Sequence, residues 1–409
     1  MHRRTTTRSV LAALGAFGFF ATAAPAQAAD DPDLRLSAGT ETAPGIDYRS
    51  FTVAASHGSV TGHLVTVDLT DPHVTTDLLY PGAVAARDEV TDMADAAGAV
   101  AAVNGDFFNI DEAQHPGVQP TGASVGPAIA DGRELKGAVP NGQRFGPALP
   151  PGTSTRDVIG VGVDRRARLD SLELTGTLLT PNESLPLDAL NQYAIPVNGT
   201  GAFTADWGTP SRLRATCGTD TRRAAPCSTD VYEVVVRHGR VESASAGIGG
   251  GPIARDTTVL VGREAGAQRL RELSVGEPVQ VLHRLDARGV VPLKFAVGGY
   301  PIARGGQPLA GLDNVTAAGR SAAGTGDDGK RLFLLSLDGN AETSAGLTIG
   351  ELAALLLDVG ADDAVNLDGG GSATLAVRTP GATATTAVNR PLGSAERPVP
   401  NAIGVFSRP

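Results

Sequence analysis

Asp368 opens the most chemically suggestive string in the chain, Asp368-Gly369-Gly370-Gly371-Ser372. An acid followed by three glycines joins a carboxylate to a backbone that permits close approach and unusual dihedrals. Successive N–H groups of such a run form a nest for an anionic oxygen, and the Ser372 hydroxyl adds a donor. Taken alone the string fits a flexible turn equally well. Its flanks argue for more, because apolar strands are predicted over 364–367 and 374–377. Arg320 lies among small residues in Gly319-Arg320-Ser321-Ala322-Ala323-Gly324. There it is either a solvated sheet-face arginine or a planar fork offered to an anion such as phosphate. Asp338-Gly339 ends the strand predicted over Arg331–Leu337 and reads as a plain turn or as a second carboxylate.

The Asp368 string also closes an internal repeat. Gly98-Ala99-Val100-Ala101-Ala102-Val103-Asn104-Gly105-Asp106 and Gly360-Ala361-Asp362-Asp363-Ala364-Val365-Asn366-Leu367-Asp368 share the frame G-A-x-x-A-V-N-x-D. Side chains alternate along a strand, so the Asn and Asp of each copy share a face. Each copy follows a predicted helix and puts its acid where a buried strand ends. One copy alone is explained by an Asx residue starting a turn. Two copies point equally to a shared polar cleft, since strand ends opening into loops are where sites tend to sit.

The elements that must position these residues are legible in part. Val90, Met93, Ala94 and Ala97 fall on one helix face that Gly98 can close. Thr348-Ile349-Gly350-Glu351 is a capping box, and Gly360 ends the helix it opens. The Gly326-Asp327-Asp328-Gly329 turn predicts a hairpin between 318–323 and the strand that follows. Between about 111 and 290 the chain is rich in Gly and Pro with many short β-type runs, which reads as meander or sandwich material. Residues 29–45 are acidic, contain Pro and lack periodicity, as a linker would. Residues 1–28 read as a secretory signal: basic His2, Arg3, Arg4 and Arg8, an apolar run from Val10 to Phe20, then Ala26-Gln27-Ala28. The run is too short for a permanent anchor, and the threonines after Arg3-Arg4 favour general secretion over twin-arginine export. No membrane anchor is expected.

Composition narrows the function. The net charge is −10, and with only Lys136, Lys294 and Lys330 among the 34 basic residues, 31 are arginines. Removing three arginines with the signal gives −10 − 3 = −13. An acidic chain without a basic stripe excludes a nucleic-acid partner. Cys217 and Cys227 are the only cysteines, and an oxidising compartment would join them as a disulfide. A metal role for that pair needs further soft ligands, for which only His238 stands near in sequence.

In order along the chain, Val103-Asn104-Gly105-Asp106-Phe107-Phe108, Arg320-Ser321-Ala322-Ala323-Gly324, Leu337-Asp338-Gly339 and Gly346-Leu347-Thr348 form one set of motifs. Asn366-Leu367-Asp368-Gly369-Gly370-Gly371-Ser372, Val388-Asn389-Arg390-Pro391 and Glu396-Arg397 through Asn401-Ala402-Ile403-Gly404 continue it. Together they resemble the phosphodiester glycosidase family across most of residues 98–406. Two positions depart from the family pattern: Asn314-Val315-Thr316-Ala317-Ala318-Gly319 replaces a His-Pro, and Asp106 replaces a small residue. These differences bear on substrate more than on fold.

The resemblance implies an α+β fold, a mixed sheet with flanking helices. A domain over 46–406 would assemble its site from 98–108 and 318–406, with the β-rich region as an insertion. It also implies hydrolysis of a sugar-1-phosphodiester, or a cell-surface glycan of that type, at the glycosidic C1–O bond. Asp368 would stabilise the oxocarbenium-like centre, with Asp338 or Asp106 as its partner. Arg320 and the backbone of Gly369, Gly370 and Gly371 would meet the leaving phosphate. Asn104, Ser372, Asn389 and Arg397 would bind substrate or shape the cleft.

No cofactor is required by this chemistry, although the acidic middle region leaves room for a structural divalent cation. No residue pattern sets an oligomeric state. Two other classes remain open. A secreted glycan-binding or envelope module would keep the nest without needing Arg320 and Asp368 together. A metal-dependent phosphodiesterase would use Asp106, Asp338 and Asp368 as ligands, and sensitivity to EDTA separates it. Trp207 reads as a packing residue, and His57, His63 and His73 share no visible partner. The similar segments starting at Gly249 and Gly298 read as hairpin starts, with a phosphate role for Arg304 as the weaker alternative.

Overall fold

The computed structural model describes His2 and residues 34–339, 345–390 and 395–408. Apart from His2, the segment read as a signal peptide lies outside them, as does Pro391. Strand makes up 41% of the chain and helix 10%. The expected helix-flanked mixed sheet is therefore corrected to a mostly β fold of several antiparallel sheets, one of them nearly closed and barrel-like. The reason lies in the connections: short runs joined by tight turns fold back on their neighbours, and such hairpins pair antiparallel. Only Ala189–Leu190 and Thr200–Phe203 pair parallel among the described strands.

One hairpin shows how local sequence does this. Asp327 and Asp328 both take positive φ, 52° and 53°, a turn whose twist matches that of the flanking strands. Ser321–Gly326 and Arg331–Leu337 then pair from Ser321↔Ser336 to Gly326↔Arg331. The hairpin predicted from 318 begins at Ser321. Part of the stretch read as linker is strand as well, since Leu34–Leu36 and Thr40–Ala43 both pair with Ile46–Ala55.

Helices form where the capping signals stand. Helix α1, Val90–Ala97, buries Val90, Met93 and Ala94 and ends on Gly98 at φ 76°. Helix α2, Ala265–Arg271, arises inside the β-rich region. Helix α3, Ile349–Asp358, starts on the Thr348/Glu351 capping box and buries Ile349, Leu352, Ala353, Leu355 and Leu356. Each is too short to make a flanking layer.

Two sheets carry the candidate site. In the nine-stranded sheet, Arg331–Leu337, Ser321–Gly326, Asp363–Asn366 and Tyr300–Arg304 lie side by side. In a five-stranded sheet, Leu375–Val377, Ala101–Asn104, Ala402–Ser407 and Val74–Leu79 do. The β-rich region does not fold apart, because one apolar core runs through Ile46, Val103, Ile159, Phe203, Phe295, Val365 and Val405.

Candidate active site

The two repeat copies meet at their strand ends. The Asp368 N–H donates to the Gly105 carbonyl at 3.0 Å, and Asn104 Nδ2 donates to the Asp368 carbonyl at 2.7 Å. Asn104 Oδ1 accepts the Thr374 N–H at 3.0 Å. Both polar atoms of the first Asn are thus used in fixing the backbone that carries Asp368.

Asp368 is half-buried, and its Oδ1 accepts the Gly369 N–H at 3.0 Å. Burial pushes its carboxyl up to about 6, against the pull of Ser372, the Gly369 N–H and the Arg397 charge. Two of the three expected nest donors have partners within the protein: Gly369 N–H on Asp368, and Gly370 N–H on the Gly319 carbonyl at 2.8 Å. Gly371 serves another purpose. Arg397 lies directly over it, so an added Cβ would stand 2.4 Å from Nη2. The same guanidinium donates to Ser372 Oγ at 3.3 Å.

Arg320 abuts this turn, for a Cβ on Gly369 would sit 3.5 Å from its Cα. Its side chain runs inward, where Nε donates to the Leu347 carbonyl at 3.1 Å and Nη2 to the Thr316 carbonyl at 2.8 Å. Those bonds leave guanidinium donors over. No carboxylate lies within 4.0 Å of it among the described residues. Burial lowers its pKa, opposed by the Asp313 charge. Arg320, Asp313, Thr316, Tyr300 and Asn366 line a cavity of about 460 Å³ walled by Pro147, Pro150, Ile302, Leu312 and Ile349. Asn366, the second repeat Asn, is fully buried, and neither Oδ1 nor Nδ2 has a hydrogen-bond partner. A buried amide left so is costly, and its position on the cavity wall suits a bound polar group.

Asp106 is 2% exposed. Its Oδ2 accepts the Gly126 N–H at 2.5 Å, while Oδ1 has no partner. The approach needs two glycines, since a Cβ on Gly298 would stand 2.5 Å from Oδ2 and one on Gly126 2.7 Å from the Gly298 Cα. Burial drives the carboxyl well above the usual range; the Lys136 charge and the Gly126 and Phe107 N–H groups oppose this, and the Asp368 charge adds to it. Tyr300, stacked on Phe107 at 4.4 Å, is raised by burial and then by Asp106.

Other expected residues have protein partners of their own. Asp338 Oδ1 accepts the Arg390 N–H at 2.8 Å and lies 3.4 Å from His63 Nε2, whose Nδ1 meets Tyr48 Oη at 2.9 Å. Burial pushes Asp338 up, but His63 and the Arg390 N–H more than offset it, leaving the carboxyl below its ordinary value. Its charge partners are therefore His63 and Arg390, while Asp106 feels Asp368. Asn389 is fully engaged, donating to the Ala373 and Leu337 carbonyls and accepting the Leu375 N–H. Arg304 pairs with Asp157 at 3.0 Å, and Trp207 is buried against Phe203.

Cys217 and Cys227 form a disulfide. His238 pairs with Asp256 instead, and the imidazole near the two sulfurs is that of His115. Both His115 nitrogens are taken, by Glu112 and the Ala225 carbonyl. Among the described residues that trio is the only close group of three metal-ligating side chains, so Asp106, Asp338 and Asp368 do not gather as one. Lys136 and His63 stand at the site without having been marked as site residues by the sequence. The repeat frame marks Asn366, whereas nothing local marks the other two.

Residues 230–406 match the family model of phosphodiester glycosidase (NAGPA), in line with the resemblance carried by the C-terminal motifs. No curated protein compared with the chain matches it. A hypothetical protein from Synechocystis has the same fold, with TM-score 0.69 and 22% identity over 93% of this chain and 65% of that one. This chain thus spans just under two thirds of that relative. A Burkholderia pseudomallei K96243 structure named "Putative exported protein" gives 0.64 and 23% over 85% and 74%. The zebrafish N-acetylglucosamine-1-phosphodiester alpha-N-acetylglucosaminidase catalytic domain, auto-inhibited by its pro-peptide, gives 0.44 and 15% over 92% and 89%.

Proposed function

We propose that this chain is a phosphodiester glycosidase that cleaves the C1–O bond of a sugar-1-phosphodiester, releasing free sugar and a phosphomonoester. The observation that carries the reading is Arg320, a buried cation without a carboxylate partner, on one cavity wall with an unpartnered Asn366 amide and beside the Asp368 turn. A buried cation is stabilised by an anion, and a substrate phosphate supplies one.

In this reading the phosphate accepts from the remaining Arg320 N–H groups and from Arg397. Asn366 meets polar groups of the substrate inside the cavity. Asp368, ionised above about pH 6, faces the positive charge developing at C1 and takes the proton of the attacking water. Asp106 is its partner because their charges interact. It holds its proton to higher pH and protonates the departing phosphate oxygen. Asp338, held by His63 and the Arg390 N–H, keeps a negative charge beside the same turn, where Gly339 and Gly370 both approach Gly319. The pair of unlike carboxylates follows a general rule, in which environment divides acid from base. The reading needs no metal, and secretion by the general route accords with the disulfide.

Phosphorus NMR on N-acetylglucosamine-1-phospho-6-mannose tests it, with Asp368→Asn as control. Mannose-6-phosphate plus free N-acetylglucosamine, lost in the variant and retained in EDTA, is the expected result. N-acetylglucosamine-1-phosphate, or loss of turnover in EDTA, would favour metal-assisted attack at phosphorus. An unchanged spectrum across a panel of sugar phosphodiesters would favour a glycan-binding module.

A further inference from the structure

Lys136 is 1% exposed, and its ammonium is enclosed by backbone. Nζ donates to the Gly137 carbonyl at 2.6 Å, to that of Gly126 and, at 3.4 Å, to that of Val125. Three acceptors around one nitrogen match the three protons of an ammonium, whereas a neutral amine has two. No carboxylate lies within 4.0 Å of Nζ among the described residues. The acid whose charge acts on it is Asp106. The two are joined through one peptide unit, since the Gly126 carbonyl accepts from Lys136 while the Gly126 N–H donates to Asp106 Oδ2.

This arrangement is costly to build. A cation and an anion are both removed from water, kept apart by a peptide, and given two glycines for clearance. A purely structural role would end at the three carbonyls, whereas the Gly126 peptide carries the contact on to Asp106. We propose that Lys136 is a positioning residue that sets the ionisation of Asp106 through the Gly126 peptide, and with it the division of acid and base between Asp106 and Asp368. The effect on turnover rests on the glycosidase reading; the electrostatic link does not.

The groups facing Asp106 come from four places. Lys136 favours its ionised form. Asp368, from the opposite sheet end, opposes it. The Tyr300 and Tyr193 phenols lie close enough for Asp106 to raise both, and burial holds them protonated. Lys136 is thus the cation whose charge acts most strongly on this carboxyl. Burial pushes Asp106 up and Lys136 down, each opposed by the other's charge. Without the ammonium, the Asp106 proton is held more tightly.

The test is infrared titration of the purified full chain, which needs no substrate. The carboxylic-acid C=O band of protonated Asp106 is assigned by its loss in Asp106→Asn. Lys136→Met is expected to move the midpoint of that band upward by at least one pH unit, a tenfold weaker acid. An unmoved midpoint overturns the proposal. If Lys136→Met does not fold, Lys136→Met/Asp106→Asn decides, because it removes both charges and leaves neither orphaned. Recovery of folding in the double variant supports the link; failure of both shows that Lys136 serves its carbonyls alone and overturns it. With an active substrate, the alkaline limb of kcat/KM in Lys136→Met should move up by the same tenfold interval. A shifted band in a chain that hydrolyses no sugar phosphodiester would refute the function and leave the link standing.

Discussion

The two repeat asparagines should respond oppositely to one substitution. Asn104 and Asn366 occupy equivalent places in the same nine-residue frame and are both fully buried. Asn104→Leu removes the donor to the Asp368 carbonyl and the acceptor of the Thr374 N–H. Each backbone group left unsatisfied costs about 1–3 kcal/mol, so for the two groups a loss of about 2–6 kcal/mol is expected. Asn366→Leu removes no hydrogen bond. It replaces a desolvated amide with an apolar side chain of similar size, and the expected change lies between about 0 and 2 kcal/mol of stabilisation. Urea unfolding of both variants at equal m-values measures the difference. A sugar phosphodiester should raise the midpoint of the parent chain and not that of Asn366→Leu, since only a bound ligand uses that amide. Equal destabilisation by the two substitutions would refute the reasoning, because Asn366 would then have protein partners in solution.

Three further outcomes are expected. Asp368→Asn should abolish turnover yet stabilise the fold. An Asp whose pKa rises from 3.8 unfolded to about 6 folded imposes a cost that is absent below pH ~4, grows to about pH 6 and is full above it. The variant and parent should therefore have equal thermal midpoints near about pH 3.5 and separate by about pH 7. Gly371→Ala should push Arg397 off the turn, because the new Cβ would stand 2.4 Å from Nη2. Steady-state kinetics should show kcat/KM falling about 10- to 150-fold for a lost charged hydrogen bond, with little change in melting temperature. Removing the disulfide as Cys217→Ala/Cys227→Ala opens a loop of sequence separation 10, which should cost about 3 kcal/mol in denaturant unfolding.

What the sequence determined by itself is what depends on neighbours along the chain. The capping box at Thr348, the left-handed Gly98 after α1 and the Asp327-Asp328 turn are local devices, and all three stand where their residue types place them. The C-terminal motifs were legible for the same reason, since their order and spacing survive without knowledge of pairing. The fold class was not. Helix signals are conspicuous in sequence, while short hairpin strands rich in Gly and Ala carry little periodicity, so nothing in the sequence corrects the α+β fold that the resemblance implies to the mostly β one.

Tertiary structure alone decided the roles of like residues. Asn104 reaches a carbonyl 264 positions away, whereas Asn366 faces a cavity built partly from 147–150 and 311–316. Nothing in the shared frame separates the two. Asp338 and Asp106 look alike in sequence, and only strand pairing sets Asp338 beside His63, partnered at Ser336 in the same ladder. Lys136 gave no signal at all, because a cage of carbonyls is made by backbone and backbone has no letter in the sequence. Side-chain type states what a residue can do; which strand ends meet states what it is left free to do.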